Sequence, residues 1–294
     1  TKRMHINSFK LVAPVFFMSD YTGNRNKLGL IKPKIKKIPV PGQLQWNPGG
    51  WVINVKKLLL QNGIFINEAE TEKPAMANQF DGNHLRFSNI NGELLNIHFE
   101  KDTLTTKGIL STKERSGFEV KKLAAQIKFT PSIMEFKQLN LLTNKSRLGN
   151  YYAMRYNDFN ADMGDFLHKV TVEGNFVNSE INTDDLAFFA PALKNWKRQF
   201  KIQGLAKGII DNFSVKKMLL QSGATIIDGD IMMRGLPDIE HTFIDFTARD
   251  FKTNYTYLLG IFPQIKKITQ VNLTKLGNIS YKGNFTGFVN DFVA

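Results

Sequence analysis

The string VKKLLLQNG at 55–63 returns as VKKMLLQSG at 215–223, and its first half returns again as VKKLAAQ at 120–126. A chain that reuses such a segment is built of like units that cannot bury their apolar faces alone and stack on their neighbours. In each copy the residue two positions before the Val is apolar: Ile53, Phe118 and Phe213. Positions two apart share one face of a strand, so the repeat reads as an extended element. The first Lys of the pair stands at 56, 121 and 216, intervals too uneven for a strict solenoid, so insertions separate the units. A second repeat pairs GLAKGIIDNFSV at 204–215 with GNFTGFVNDFVA at 283–294. Its two glycines suit tight bends or close backbone approach, and its Asn/Asp pair suits a hairpin turn. If these units match, a strand like VKKMLLQ follows the second copy, which makes the chain a piece of a longer repetitive protein. The approximate units are 1–115, 116–200 and 201–294.

Most of the remaining sequence also reads as strand, in short runs of β-branched and aromatic residues punctuated by Gly, Asn and Asp. Such runs cover 5–18, 51–67, 94–112, 121–129, 133–143, 168–176, 224–236, 241–251 and 278–293. Ile127 and Phe129 alternate onto one face. In the next run Phe136 alternates away from Leu139 and Leu141, which predicts a bulge near the middle of that strand. Helical signals are few and short: Thr183–Asp184–Asp185 leading into LAFFAPALKNW and broken by Pro191, a stretch from Thr253 into YTYLLG, and Met163 to His168. The fold class expected is all-β, an elongated repetitive sheet folded into an open groove with a few short helices.

The chain holds 24 Phe but only 7 Tyr and 3 Trp, a greasy payload without polar handles. A net charge of +13 favours anionic partners, nucleic acid or a phospholipid surface, though a solvated Lys-rich exterior fits as well. The basic segment 25–42 interleaves its charge with Leu28, Leu30, Ile31 and Ile35 and with prolines, which suits a strand edge or membrane-surface contact better than a nucleic-acid reader. No cysteine is present, so disulfides, thiolate metal sites and Cys nucleophiles are excluded. The histidines at 5, 84, 98, 168 and 241 lack metal-ligand spacing. Asp158, Asn160 and Asp162 begin like a calcium loop, but Met163 stands where that loop needs Gly and Lys169 where it needs an acid. Ser214 and Lys217 point to opposite faces of a strand and make no nucleophile–base pair. Neither an enzyme nor a cofactor is expected.

Periodicity fits two arrangements: a solenoid whose apolar positions are closed core, and an open sheet whose apolar face takes a hydrophobic guest. The strings GLPDIEHTFIDF at 235–246, TNYTYLLGIFP at 253–263, LGNISYKGNFTGFVNDFVA at 276–294 and SGFEVKKLAAQIKFTPSIMEFKQLNLLTNKSRL at 116–148 resemble the Bacteroidetes form of the TamB (translocation and assembly module) family, within the AsmA-like group. The likeness spans about 116–294 and is weaker before it. It implies an open β-trough in the periplasm of a Gram-negative bacterium, tethered to the inner membrane by an anchor outside this chain. It also implies phospholipid acyl chains and an outer-membrane assembly protein of the Omp85 type as partners. On that reading Ile53, Val55, Phe118, Val120, Ile127, Phe129, Phe213 and Val215 line the groove, followed after the Lys pair by Leu58, Leu60, Leu123, Met218 and Leu220. A bulge at the Lys pair decides whether the two sets share a face.

Overall fold

The computed structural model describes residues 2–19, 45–68, 73–238, 241–261, 277–288 and 291–293, and the basic segment 25–42 lies outside them. The strands are β1 (Lys2–Val12), β2 (Val15–Ser19), β3 (Trp51–Glu68), β4 (His84–Glu100), β5 (Thr103–Glu114), β6 (Glu119–Thr130), β7 (Ile133–Thr143) and β8 (Arg147–Arg155), then β9 (Thr171–Asn182), β10 (Gln199–Ile209), β11 (Asn212–Ser222), β12 (Thr225–Arg234), β13 (Phe243–Asn254), β14 (Asn278–Phe288) and β15 (Asp291–Val293). Short helices α1 (Phe159–Met163), α2 (Phe166–Lys169), α3 (Thr183–Leu186) and α4 (Tyr255–Ile261) interrupt them. From β3 onward each strand pairs antiparallel with the next, while β1 and β2 lie end to end along β3 and run parallel to it. Among the described residues the result is one open, fifteen-stranded sheet whose strand order follows the chain.

Tight turns alternate between the two long margins of this sheet. Lys101–Asp102, Pro131–Ser132 and Ile210–Asp211 lie on one rim, and Gly223–Ala224 lies on the other with the bends at 115–118 and 144–146. The chain preceding β3 is fixed to the first rim by Asp102, whose carboxylate accepts the backbone N–H groups of Gln45, Trp46 and Asn47 at 2.7, 2.9 and 3.1 Å. Among the longer connections, 69–83 and 183–198 leave the second rim and 156–170 the first. A methyl group placed on Gly82 would lie 3.2 Å from the carbonyl oxygen of Met163, although the two residues belong to connections from opposite rims. Strands of about ten residues run roughly 33 Å, so this meeting requires the sheet to be folded across its width.

The expected helices are present but short. Asn182 caps α3 by accepting from Asp184 N at 2.9 Å, and Pro191 opens a separate 3-10 turn, Pro191–Asn195. Of the helix expected over Met163–His168 only the second half forms, as α2; α1 lies before it and ends at Met163, and Gly164–Asp165 are a turn. Asn254 caps α4 through Tyr257 N at 3.0 Å.

The repeats have direct structural counterparts. Gly204 and Gly208 have φ of 150° and 138°, and Gly283 and Gly287 have 151° and 138°. Gly208 pairs with Phe213 as Gly287 pairs with Phe292, so the two GxxxG segments open hairpins of identical register. A side chain at Gly208 would meet Asn212 O at 2.2 Å, which explains why a backbone with that φ holds glycine there.

Candidate functional site

The apolar face of the sheet emerges from the pairing register, because residues directly opposite one another in neighbouring strands share a face. One row runs Met4, Ile53, Phe99, Leu104, Phe129, Met134, Met154 and Val172, and continues through Gly208, Phe213, Met233, Ile244 and Gly287. Beside it Ile127, Phe136, Tyr152, Gly174, Ala206, Val215, Ile231, Phe246 and Phe285 form a second. A further row near the second rim begins Leu11, Leu60, Gly92, Leu110, Leu123, Leu141 and Leu148, and resumes as Ile202, Leu220, Ile227, Phe251 and Tyr281.

The Lys pair of the repeat is a β-bulge. Val215 pairs with Ile231 and Met218 with Gly229, so three steps along β11 match two along β12 and both side chains face the same way. The same bulge puts Ser214 and Lys217 together on the other face, against the opposite faces expected of a regular strand, and Ser214 Oγ donates to Lys207 O at 3.0 Å. In β6, Val120 pairs with Thr143 and Leu123 with Leu141, the same exchange. In β3 the irregularity is matched by Asn96 of β4, which has φ 52°, and Val55 and Leu58 are both buried. The charges turn to the other face: Lys57 Nζ meets Glu93 at 3.0 Å and Lys121 Nζ donates to Asn144 O, while at the third copy the backbone N–H of Lys217 donates to Asp230 Oδ1. The repeat VKK(L/M) is therefore a device for carrying an apolar stripe through a kink. The bulge expected in β7 is at Gln138, with φ 52°, and it returns Leu139 and Leu141 to the face of Phe136.

Of the predicted lining residues, Ile53, Val55, Leu58, Leu60, Val120, Leu123, Ile127, Phe129, Phe213, Val215, Met218 and Leu220 thus share this face. Phe118 precedes β6 and packs at the second rim against Phe188 and Phe189, with ring centroids 5.4 and 5.3 Å away. Phe80 joins the same cluster through Phe189 at 5.0 Å. Sequence reading missed Phe80, Phe188 and Phe189, because they lie in connections and only folding brings them together.

Burial along the face is uneven. Ala125, Ile127 and Leu139 are buried together, and half-buried Leu123, Phe129, Phe136, Leu141 and Tyr152 pack around them. Burial alone pushes the Tyr152 hydroxyl well above its ordinary value. Phe213, Val215, Met218 and Leu220 stay only partly covered, as a single-layer sheet requires.

The opposite face carries cross-strand ion pairs. Arg155 holds Glu173 at 3.1 Å, with Lys207 at 3.2 Å from the same carboxylate, and Arg249 bridges Asp228 and Asp230 at 2.8 and 2.9 Å. Arg155 first, then Lys207, holds Glu173 below the usual carboxylate range, and Arg249 does the same for Asp230. Desolvation and a hydrogen bond to Glu135 push Tyr151 up to about 12. These exposed pairs each contribute little, and what they establish is polarity: one face charged, the other greasy. The Asp158 and Asp162 carboxylates are occupied by backbone N–H groups of Ala161, Asn157 and Asp158. Among the described residues, no group of three or more His, Cys, Asp or Glu could hold a metal ion, and no helix is long and apolar enough to cross a membrane.

Comparisons with family models, with curated proteins and with solved structures found no match.

Proposed function

We propose that this chain is a periplasmic segment of an inner-membrane-anchored envelope protein, and that its apolar face conducts phospholipids between inner and outer membranes in support of outer-membrane biogenesis. The observation that supports this reading is the continuity of the apolar rows across the strands, half-exposed on one face of a sheet whose other face is charged. Acyl chains lie along Val120, Ile127, Phe129, Val215 and Met218, each shielded methylene contributing about 0.8 kcal/mol. Phosphate headgroups stay in water at the mouth, where lysines attract them. Broad Phe/Leu/Ile/Met rows without a polar anchor keep the energy nearly flat along the path, and lipid that binds equally well at each step can move. No bond is made or broken, so the activity is non-enzymatic. An Omp85-type assembly protein is the partner at the outer membrane.

The test is lipid content. The segment is purified from a bacterial envelope and extracted with organic solvent, and phospholipid per chain is measured by mass spectrometry beside Val120→Arg and Val215→Arg. At least one phospholipid per chain, lost in the Arg variants while the β-rich circular dichroism persists, is the expected result. Folded, lipid-free wild-type protein would sink the reading.

A second reading rests on the outer edge of β1 and β2, which pairs with no further strand among the described residues. Val12, Val15, Phe16 and Phe17 are more than half exposed there, and an edge strand of this kind takes a partner strand by β-augmentation. In that case the chain is a scaffold that docks assembly machinery without carrying lipid, and rim and groove variants leave its activity intact.

A further inference from the structure

The connection between β8 and β9 does more than join two strands. Arg155 and Thr171 are direct register partners, as Thr130 and Ile133 are across the two-residue turn Pro131–Ser132. A turn of that length would suffice here, and long insertions in such places commonly carry function. Instead, residues 156–170 rise from the first rim as a self-braced unit. Asp162 accepts from Asn157 N and Asp158 N at 2.7 and 3.2 Å, and Asp158 accepts from Ala161 N at 2.9 Å. Both feet stand on the same rim. At one, Tyr156 N donates to Ser132 O at 3.1 Å, the Tyr156 hydroxyl donates to Thr130 O at 3.3 Å, and its ring meets Phe159 at 5.7 Å. At the other, Asp211 N donates to Leu167 O at 3.2 Å.

Between the feet the tip reaches the opposite rim, where the Met163 carbonyl approaches Gly82. The loop that carries Gly82 is itself tied down: Asn78 N donates to Ser116 O at 2.9 Å, Phe80 N to Phe188 O at 2.7 Å, and Asp81 holds His84 at 2.9 Å. Two hydrogen-bonded arms thus meet across the mouth of the groove at a backbone contact of a glycine. Feet bonded to one rim and a tip resting on the other is the arrangement of a strap that parts at its tip.

We propose that residues 156–170 form a gate over the groove, closed on Gly82 in the empty protein and displaced from it when a phospholipid acyl chain occupies the apolar face beneath. This rests on the lipid-conducting reading and adds its regulation: lipid passes the middle of the sheet only with the strap raised.

The chain has no cysteine, so Gly82→Cys with Met163→Cys supplies a unique pair. Spin labels on that pair report the separation by double electron–electron resonance, with labels at Ser132 and Asn212, both on the first rim, as the fixed control. Short-chain phosphatidylcholine below its micellar concentration is the probe. In a second arm the same two cysteines are joined by a short bismaleimide, and probe uptake is compared with that of the unlinked variant. The expected result is a 82–163 separation that lengthens with probe while the control stays fixed, and uptake at least tenfold slower in the linked protein. Probe bound with an unchanged 82–163 separation and equal uptake overturns the gate and leaves the groove standing. No probe bound by either form overturns the groove reading and the gate with it.

Discussion

The middle of the sheet and its N-terminal edge carry the same apolar pattern and meet different fates. At β6 and β7 each strand has a neighbour on both sides, and Ala125, Ile127 and Leu139 are buried. At β1 and β2 only β3, among the described residues, pairs with the strand, and Phe9, Val12, Val15, Phe16, Phe17 and Met18 are 36–62% exposed. The composition of the two regions is alike, so the difference comes from neighbours. A side chain on a sheet is covered by the residues flanking it on both sides, and an edge strand lacks half of them.

The comparison is most sharply tested by placing a charge in each region. Ile127→Asp strands a carboxylate among buried apolar groups and is expected to abolish cooperative unfolding; Phe16→Asp at the edge leaves the melting transition in place, as circular dichroism would record. Truncation separates them more gently. Ile127→Ala is expected to cost about 2–5 kcal/mol and Phe16→Ala under about 1 kcal/mol, by urea titration. Equal losses would mean that the edge is covered after all.

Backbone geometry gives a smaller effect that links the two GxxxG segments. Gly208→Ala forces a Cβ to within 2.2 Å of Asn212 O at φ 138°, with an expected cost of about 1–3 kcal/mol. Retention of full stability would show that the hairpin relaxes freely.

Acid has a milder effect still. Glu173 and Asp230 titrate below the ordinary carboxylate range because of Arg155 and Arg249, so their stabilisation is complete above that range. It is lost as the pH falls through the lowered values. Arg249→Gln should flatten the acid limb of a stability–pH curve slightly, and an unchanged limb would show that these pairs are fully screened.

The smallest expected effect is on the strap. His168 lies 2.6 Å from Asp165, which raises its pKa above the usual histidine value. Its contribution is present at pH below the unfolded value and fades as the pH rises through the folded one. An NMR titration should show that elevation lost in Asp165→Asn.

Much of this was legible in the chain itself. Runs of β-branched and aromatic residues marked most strands, since the two-residue side-chain period is a local property. The bulge in β7 could be read because Phe136 and Leu139 break that period. The run at 94–112 looked like one strand, yet Lys101 and Asp102 turn the chain there, Lys101 adopting φ 51° where neither Gly nor Asn stands, so that Asp102 is the one local signal. Strand β8 went unread, its Gly149 and Asn150 masking the pattern. Asn reads in the sequence as punctuation between strands, and the fold also uses it inside them: Asn62, Asn89, Asn96, Asn150 and Asn178 take positive φ within or beside strands, where asparagine is the least strained side chain after glycine.

By itself, then, the sequence determined the all-β class, the repeating units and which residues could share a face, because propensity and periodicity act between near neighbours. Only the tertiary structure decided that the Lys pair turns outward at a bulge, that Phe118 leaves the stripe to join Phe80, Phe188 and Phe189 at a rim, and that Met163 crosses to Gly82. These depend on strand register and on the fold of the sheet across its width, and both are fixed by contacts between residues far apart in the chain.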